Sequence, residues 1–69
     1  MADSVYKIIE LVGTSTESWE KAATNAISKA SETLRDLRIA EVAEMDLIIK
    51  EGKVEGYRTR VKLSFKFQS

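Results

Sequence analysis

Apolar and polar residues alternate in three segments of the chain, and each segment has the period of one kind of secondary structure. Residues 4–12 alternate imperfectly with an apolar excess, which is typical of a strand that is partly covered on both faces. Residues 16–36 carry apolar side chains at the 3.6-residue period of a helix. Residues 39–67 contain two β-rich runs on either side of Gly52. The pattern therefore predicts a strand, a helix and a long hairpin within one domain, residues 1–69.

The predicted helix has an apolar stripe rich in alanine, so it can lie close to the sheet that it covers. The preceding strand is predicted to end at Gly13, and Thr14 with Glu17 has the spacing of a capping box. Trp19, which is the sole tryptophan, is predicted to be a core residue. The residues of the stripe are Trp19, Ala22, Ala23, Ala26, Ile27, Ala30, Leu34 and Leu37.

The two runs of the hairpin are joined at Gly52, which suits a short turn with positive φ. A register in which Lys50 faces Val54 brings oppositely charged residues together across the strands. A slip of one residue would drive charges into the core, so the pattern itself selects this register. The predicted pairs are Lys50–Val54, Leu47–Tyr57, Asp46–Arg58, Glu44–Arg60, Ala43–Val61 and Ile39–Phe65.

This register gives the hairpin one apolar face and one charged face. The apolar face is predicted to meet the helix, and the charged face to line water or a polar contact between subunits. The charged face carries Arg58, Arg60, Lys62 and Lys66. The apolar face carries Ile39, Ala43, Met45, Leu47, Ile49, Tyr57, Val61, Leu63, Phe65 and Phe67.

The connection through the helix makes the first and second strands parallel, because such crossovers are right-handed. The third strand can lie between them, antiparallel to both, but these rules equally allow the second strand in the middle. In either arrangement the hairpin is longer than the first strand, so backbone groups at the far end of the hairpin are left unpaired. A lone domain of this length buries only ~60% of its unfolded surface. We therefore predict an obligate oligomer of this chain.

The composition excludes several classes of function. The chain has no Cys and no His, so disulfides, Cys-ligated metals and catalysis by a His base are excluded. Tyr6, Tyr57 and the acidic residues could transfer protons, but no spacing among them indicates a catalytic site, and we predict that the chain is not an enzyme. Eleven basic and eleven acidic residues cancel, which argues against a nucleic-acid partner. The first four residues lack the features of a signal peptide, and no run reaches the ~18 apolar residues of a membrane span. We expect a cytoplasmic protein with no membrane partner.

The order and spacing of five motifs resemble the dodecin family over nearly all of the chain. The resemblance implies an α+β fold of β-α-β-β topology, in which a three-stranded antiparallel sheet wraps on one amphipathic helix and the third strand is central. It also implies a hollow homododecamer of four trimers that binds and stores small molecules, most often flavins such as FMN or riboflavin, without being an enzyme. The motifs are Glu10-Leu11-Val12-Gly13-Thr14-Ser15, Glu17-Ser18-Trp19, Ala40-Glu41-Val42, Tyr57-Arg58-Thr59 and Val61-Lys62-Leu63-Ser64-Phe65-Lys66-Phe67.

The chain departs from the flavin-binding members of that family at two positions. Those members sandwich the flavin ring between tryptophans at a two-fold axis, and the matching position here is Ile39. They also bind the polar edge of the ring with a glutamine, which matches Arg58. Isoleucine provides no aromatic stacking, and arginine accepts no hydrogen bond. We therefore predict that conventional flavin binding is weakened or lost at the matching pocket positions, which are Ile39, Glu44 and Arg58.

The sequence is more similar to the calcium dodecin branch, through Ser18-Trp19-Glu20, Arg38-Ile39-Ala40 and Glu44-Met45-Asp46. This resemblance implies a divalent cation, Ca²⁺ or Mg²⁺, because hard cations bind several oxygen ligands. The candidate ligands are Glu17, Glu44 and Asp46. In the alternative interpretation, Glu17 caps the helix, while Glu44 and Asp46 only pair with arginines across the hairpin.

Overall fold

A computed structural model describes residues 4–66, and these residues form a strand, a helix and a hairpin in chain order. The elements are β1 (Tyr6–Ser15), α1 (Trp19–Ser31), β2 (Leu37–Lys50) and β3 (Lys53–Lys66). The sheet has the order β1-β3-β2, and both pairings are antiparallel. The α+β class and the β-α-β-β topology are confirmed, and β3 is the central strand. Phe67, which the sequence placed on the apolar face, lies outside the described residues.

Strand β1 runs through Gly13 and does not end there, so that prediction is wrong. Gly13 is buried beneath the helix, and a Cβ at this position would overlap the carbonyl oxygen of Ala22. It would also lie 3.0 Å from the Cβ of Ala26. Glycine at this position therefore allows α1 to lie close to β1, and it does not end the strand.

The helix begins one turn later than the predicted capping box implies. Ser18 is the N-cap, and its Oγ accepts a hydrogen bond of 3.0 Å from the backbone N–H of Lys21. Thr14 lies inside β1, while the backbone N–H of Glu17 donates to Ser15 Oγ at 2.9 Å. The Thr14–Glu17 capping box is therefore wrong, because Thr14 lies within β1, a full turn before the residue that flanks the helix.

The helix is also shorter than predicted, since it ends at Ser31 and not at residue 36. The backbone N–H groups of Thr33 and Leu34 still donate to the Ala30 carbonyl, which satisfies an acceptor at the end of the helix. Asp36 then has a φ of 61°, a left-handed conformation that no helix contains. Leu37, the last predicted member of the helical stripe, belongs to β2.

A two-residue turn joins β2 and β3. Glu51 and Gly52 have φ values of 52° and 77°, and the flanking Lys50 and Lys53 are paired. Positive φ at both central residues is the feature of the type I′ turn, whose twist matches that of the flanking strands. The prediction that Gly52 occupies a tight turn with positive φ is confirmed.

The predicted hairpin register is confirmed in the middle and wrong towards both ends. Irregularities between Ile48 and Ile49, between Val42 and Glu44, and between Leu37 and Ile39 each shift the pairing. A shift of one residue moves the following side chains to the opposite face of the sheet. The confirmed pairs are Leu47–Tyr57, Asp46–Arg58 and Glu44–Arg60, whereas the structure pairs Lys50 with Lys53, Val42 with Val61, and Ile39 with Ser64.

The shifts change which side chains of β2 face the helix. Val42, not Ala43, pairs with the buried Val61, so Val42 lies on the helix-facing side. Ile39 pairs with Ser64 and not with Phe65, and its side chain is 60% exposed. The assignment of Ile39 and Ala43 to the apolar face is therefore wrong, because bulges cannot be seen in an alternating pattern.

The core lies where α1 crosses β1 and β3. The buried apolar residues are Ala22, Ala26, Ala30, Val61 and Leu63, and partly buried side chains from β1, α1, β2 and the α1–β2 connection pack around them. The radius of gyration is 14.3 Å, whereas a compact domain of this length has roughly 11 Å. The longest dimension is 53 Å. The described part of one chain is thus elongated, with a small core. None of its helices has the length and apolar character needed to cross a membrane.

Candidate functional site

The face of the sheet that points away from the helix carries a ladder of charges in the confirmed part of the register. Arg58 on β3 donates from Nε and Nη2 to the two carboxylate oxygens of Asp46 on β2, at 2.7 and 2.8 Å. These hydrogen bonds hold the pKa of Asp46 below its ordinary value and raise the pKa of Arg58. Asp46 is therefore ionised at neutral pH and engaged with its arginine at both oxygens.

Arg60 extends this ladder across all three strands. Its Nε lies 3.0 Å from Oε1 of Glu44 on β2, and its Nη1 lies 3.7 Å from Oε1 of Glu10 on β1. The Nε contact lacks hydrogen-bond geometry, so the attraction between these groups is mainly electrostatic. The predicted pairing of Glu44 with Arg60 is confirmed, and so is that of Asp46 with Arg58.

Trp19 holds the start of the helix against the hairpin. Its Nε1–H donates to the backbone carbonyl of Asp46 at 3.0 Å, and its ring meets Tyr57 edge-on at 5.1 Å and 77°. Thr59, which is buried, donates from Oγ1 to the Trp19 carbonyl at 2.9 Å. Trp19 is thus packed between elements of its own chain, as the sequence predicted, although it is only half-buried.

An open apolar cleft of about 470 Å³ lies beside Trp19, between the first half of α1 and strand β2. Sequence reasoning missed this cleft because it assigned Ala43, and not Val42, to the helix-facing side. Only the bulge before Glu44 turns Val42 into the cleft, and a bulge leaves no signal in this pattern of residues. The lining residues are Trp19, Glu20, Ala23, Val42, Met45 and Thr59.

The three predicted pocket positions are not brought together within one chain. Ile39 pairs with Ser64, while Arg58 pairs with Asp46 further along the same two strands. Six steps along β3 from Arg58 to Ser64 correspond to ~20 Å at the usual rise of ~3.3 Å per residue. Glu44 lies between them, next to Arg60. A single pocket that contains both Ile39 and Arg58 therefore requires residues of two subunits.

The three predicted metal ligands do not form one group within a single chain. Within residues 4–66 of one chain, no three acidic, His or Cys side chains are grouped so that they could hold a metal ion. Glu44 and Asp46 each contact an arginine, and Glu17 lies in the connection between β1 and α1. Because the N-cap is Ser18, the alternative role of Glu17 as a capping residue is wrong as well.

This geometry defines a class of small β-α-β-β proteins that present a charged sheet face and leave apolar surface open at the sheet edge. Comparison with known proteins agrees. The dodecin family model matches residues 5–68. The chain is 40% identical over 65 residues to the calcium dodecin of Mycobacterium tuberculosis, covering 94% of this chain and 92% of the relative. It is 41% identical over 64 residues to a dodecin of Thermus thermophilus, covering 93% of each.

The solved structure of dodecin from Streptomyces coelicolor superimposes with a TM-score of 0.92 at 35% identity, covering 100% of this chain and 99% of that one. The chain therefore belongs to the dodecin family. Dodecins are non-enzymatic small-ligand-binding proteins that self-assemble. The expectation that this chain is not an enzyme is confirmed by that membership.

Proposed function

We propose that this chain is the subunit of a hollow homododecamer of four trimers that binds a small molecule between subunits, with conventional flavin binding weakened or lost. The observation that carries the proposal is the separation of Ile39 from Arg58 by ~20 Å within one chain. Two positions of one binding pocket that lie so far apart meet only where two copies meet. The exposed Ile39, at 60%, supports the same contact.

The chemistry of the site favours an anionic ligand over a flavin ring. Ile39 provides aliphatic contact without stacking, and both Nε and Nη2 of Arg58 are engaged by Asp46. Arg60 is likewise balanced by Glu10 and Glu44. Among the ion pairs formed within residues 4–66, none involves Lys62 or Lys66. These two lysines are the groups that would receive a phosphate or carboxylate of the ligand.

Native mass spectrometry of freshly purified protein tests the assembly and the ligand together. We expect a mass of about twelve chains, with an additional mass if a ligand is retained. A folded monomer in dilute buffer would contradict the assembly, and with it a pocket between subunits.

Flavin titration tests the predicted loss of flavin binding. Addition of riboflavin or FMN to the native protein should leave the flavin fluorescence unquenched. Ile39→Trp should introduce quenching, because a tryptophan at this position supplies an aromatic partner for the ring. The matched control is Ile49→Trp, on the same strand and 66% exposed, which should not quench. Quenching by the native protein at micromolar concentrations would restore the conventional flavin interpretation.

A divalent-cation site is the second candidate, favoured by the 40% identity to a protein named calcium dodecin. Since no three acidic side chains of residues 4–66 converge in one chain, such a site would combine Glu17, Glu44 or Asp46 from neighbouring subunits. Calorimetry with Ca²⁺ and Mg²⁺ tests it. If the site exists, Glu44→Gln and Asp46→Asn should reduce the heat of binding, while Glu55→Gln on the hairpin end should not. Equal heats in all variants would exclude Glu44 and Asp46 as ligands.

A further inference from the structure

Arg58 and Asp46 meet on the charged face with the geometry by which arginine binds a carboxylate or phosphate of a ligand. Nε and Nη2 of Arg58 donate to the two carboxylate oxygens of Asp46 at 2.7 and 2.8 Å. The two side chains are 43% and 50% exposed, so they stand at the surface of the chain. A pair this exposed contributes little to the stability of the fold. Its more specific consequence is that a carboxylate of the chain itself occupies the binding edge of Arg58.

The same two residues are held in place from the opposite face of the sheet. Trp19 donates from Nε1–H to the backbone carbonyl of Asp46 at 3.0 Å. Thr59, the residue after Arg58, donates from Oγ1 to the backbone carbonyl of Trp19 at 2.9 Å. The backbone on both sides of the pair is therefore attached to one residue of the helix. Because the pair is preorganised in this way, a ligand anion must displace a carboxylate that is already in position.

Arg58 depends on one acid, whereas the next arginine on this face is shared between two. The residues directly across from Arg58 are Asp46 on β2 and the uncharged Thr14 on β1. Among the ion pairs within residues 4–66, that with Asp46 is the one that contains Arg58. Arg60 instead contacts an acid on each neighbouring strand. The residue type at position 46 therefore decides whether the binding edge of Arg58 is occupied or open.

We propose that Asp46 is a specificity-determining residue of the ligand site, because its carboxylate keeps phosphates and carboxylates of ligands away from Arg58. This inference rests on the proposed function, in which Lys62 and Lys66 receive the anionic group, and adds the residue that excludes this group from Arg58. The exclusion has two parts. Asp46 takes up two of the five N–H donors of the guanidinium, and its negative charge repels a second anion. An unfavourable charge at one position is a common means of directing a ligand to another.

Titration with inorganic pyrophosphate tests this role of Asp46. Isothermal calorimetry at low ionic strength compares the native protein with Asp46→Asn, which keeps the size of the side chain but removes its charge. The affinity of Asp46→Asn for pyrophosphate should be higher by about tenfold, because charge-assisted hydrogen bonds from Arg58 become available to the probe. Asp46→Ser should show the same gain, since it also lacks the carboxylate. Arg58→Gln, added to Asp46→Asn, should abolish the gain.

Glu55→Gln is the matched control, because it changes the net charge equally but lies near the hairpin turn, outside the contacts of Arg58. It should leave the affinity for pyrophosphate unchanged. Absence of a gain in both variants of Asp46 would overturn the proposal. A gain that persists without Arg58, or an equal gain in Glu55→Gln, would overturn it as well, since the effect would then be one of net charge.

A second pair of substitutions separates this inference from the proposed function. Lys62→Gln combined with Lys66→Gln in the native background should weaken the binding of pyrophosphate, because these lysines are proposed to receive the anion. Binding that is unchanged without both lysines would contradict the proposed function. The gain in Asp46→Asn is measured independently of that result, so its absence would contradict only the role assigned to Asp46.

Discussion

The covered and uncovered parts of the same sheet face have similar sequence patterns but very different surroundings. On β3, Val61 and Leu63 are 0% and 1% exposed beneath the helix. On β2, Val42 pairs directly with Val61, yet it is 52% exposed, and Met45 is 58% exposed. The difference arises because one helix spans only part of the width of three strands. Alternation of apolar and polar residues thus predicts that one face of a strand is buried. It does not predict whether the same chain or another copy covers that face.

The two regions accordingly contribute to different equilibria. Apolar side chains under the helix stabilise the fold of each chain, and full burial of one such side chain contributes about 1.5–3 kcal/mol. The same side chains on the open part of β2 contribute only when a second copy covers them. Their contribution therefore depends on protein concentration.

The largest expected effect is that of Leu63→Ala in the covered region. Removal of this side chain leaves a cavity between the helix and the sheet and should lower the free energy of unfolding by about 2–5 kcal/mol. Urea unfolding at several protein concentrations measures this, and the loss should be similar at each concentration. Met45→Ala is the comparison in the open region, where we expect a loss that depends on protein concentration. Equal and concentration-independent losses in the two variants would show that the distinction between the regions is wrong.

A smaller effect is expected from Gly13→Ala, which changes how closely the helix covers β1. The added Cβ would overlap the carbonyl oxygen of Ala22 and approach Ala26, so the helix must move outward. Overpacking of this kind costs about 1–3 kcal/mol, measurable as a lower urea midpoint.

Gly52→Asn provides the control for replacing a glycine. Nothing lies within 4 Å of a Cβ at Gly52, and asparagine tolerates its φ of +77°. We expect little change in the urea midpoint. A larger loss in Gly52→Asn than in Gly13→Ala would mean that the close approach of the helix is not what Gly13 provides.

The smallest effect is expected on the charged face, from Asp46→Asn. The folded-state pKa of Asp46 lies below its ordinary value of 3.8 because of the hydrogen bonds from Arg58. The pair therefore stabilises the fold above that pH, and this contribution is lost as the pH falls through the lower folded-state value. Solvent screens a pair whose side chains are 43% and 50% exposed, so the effect is modest.

Urea unfolding of the native protein and of Asp46→Asn should consequently differ at neutral pH and converge in acid. Glu41→Gln is the control, since Glu41 is an exposed acid on the same strand and forms no ion pair within residues 4–66. A difference between the native protein and Asp46→Asn that grows as the pH falls would contradict the assigned role of the pair.

The confirmed predictions that were made from the residues concern neighbours along the chain or directly across the hairpin, whereas the central place of β3 was implied only by the family resemblance. The alanine stripe of α1 follows the helical period, and Gly52 meets the steric demand of its turn. The pairs of Asp46 with Arg58 and of Glu44 with Arg60 lie in the middle of the hairpin, where opposite charges face each other across the strands. Most of the wrong predictions concern features without such a local signal, although the Thr14–Glu17 capping box had one. Bulges in β2 displaced Ala43 and Ile39, and the packing of α1 on β1 determined the role of Gly13.

The candidate site was predicted only in its parts. The departure from a flavin pocket at Ile39 and Arg58 stays a prediction, which rests on the family resemblance and on the stacking and hydrogen-bonding properties of the two side chains. The cleft beside Trp19 was not predicted, since it exists only through the bulge that turns Val42 inward and through the limited width of the helix.

The sequence by itself determined the elements, their order and the surplus of apolar surface, because periodicity and turn chemistry act over a few residues. The tertiary structure decided which apolar residues the helix covers and which remain open, with Val61 buried and its partner Val42 exposed. The physical reason is that one helix is about as wide as a pair of strands and so covers only part of a three-stranded sheet. Which strands the helix covers is decided by packing between residues that are distant in the chain.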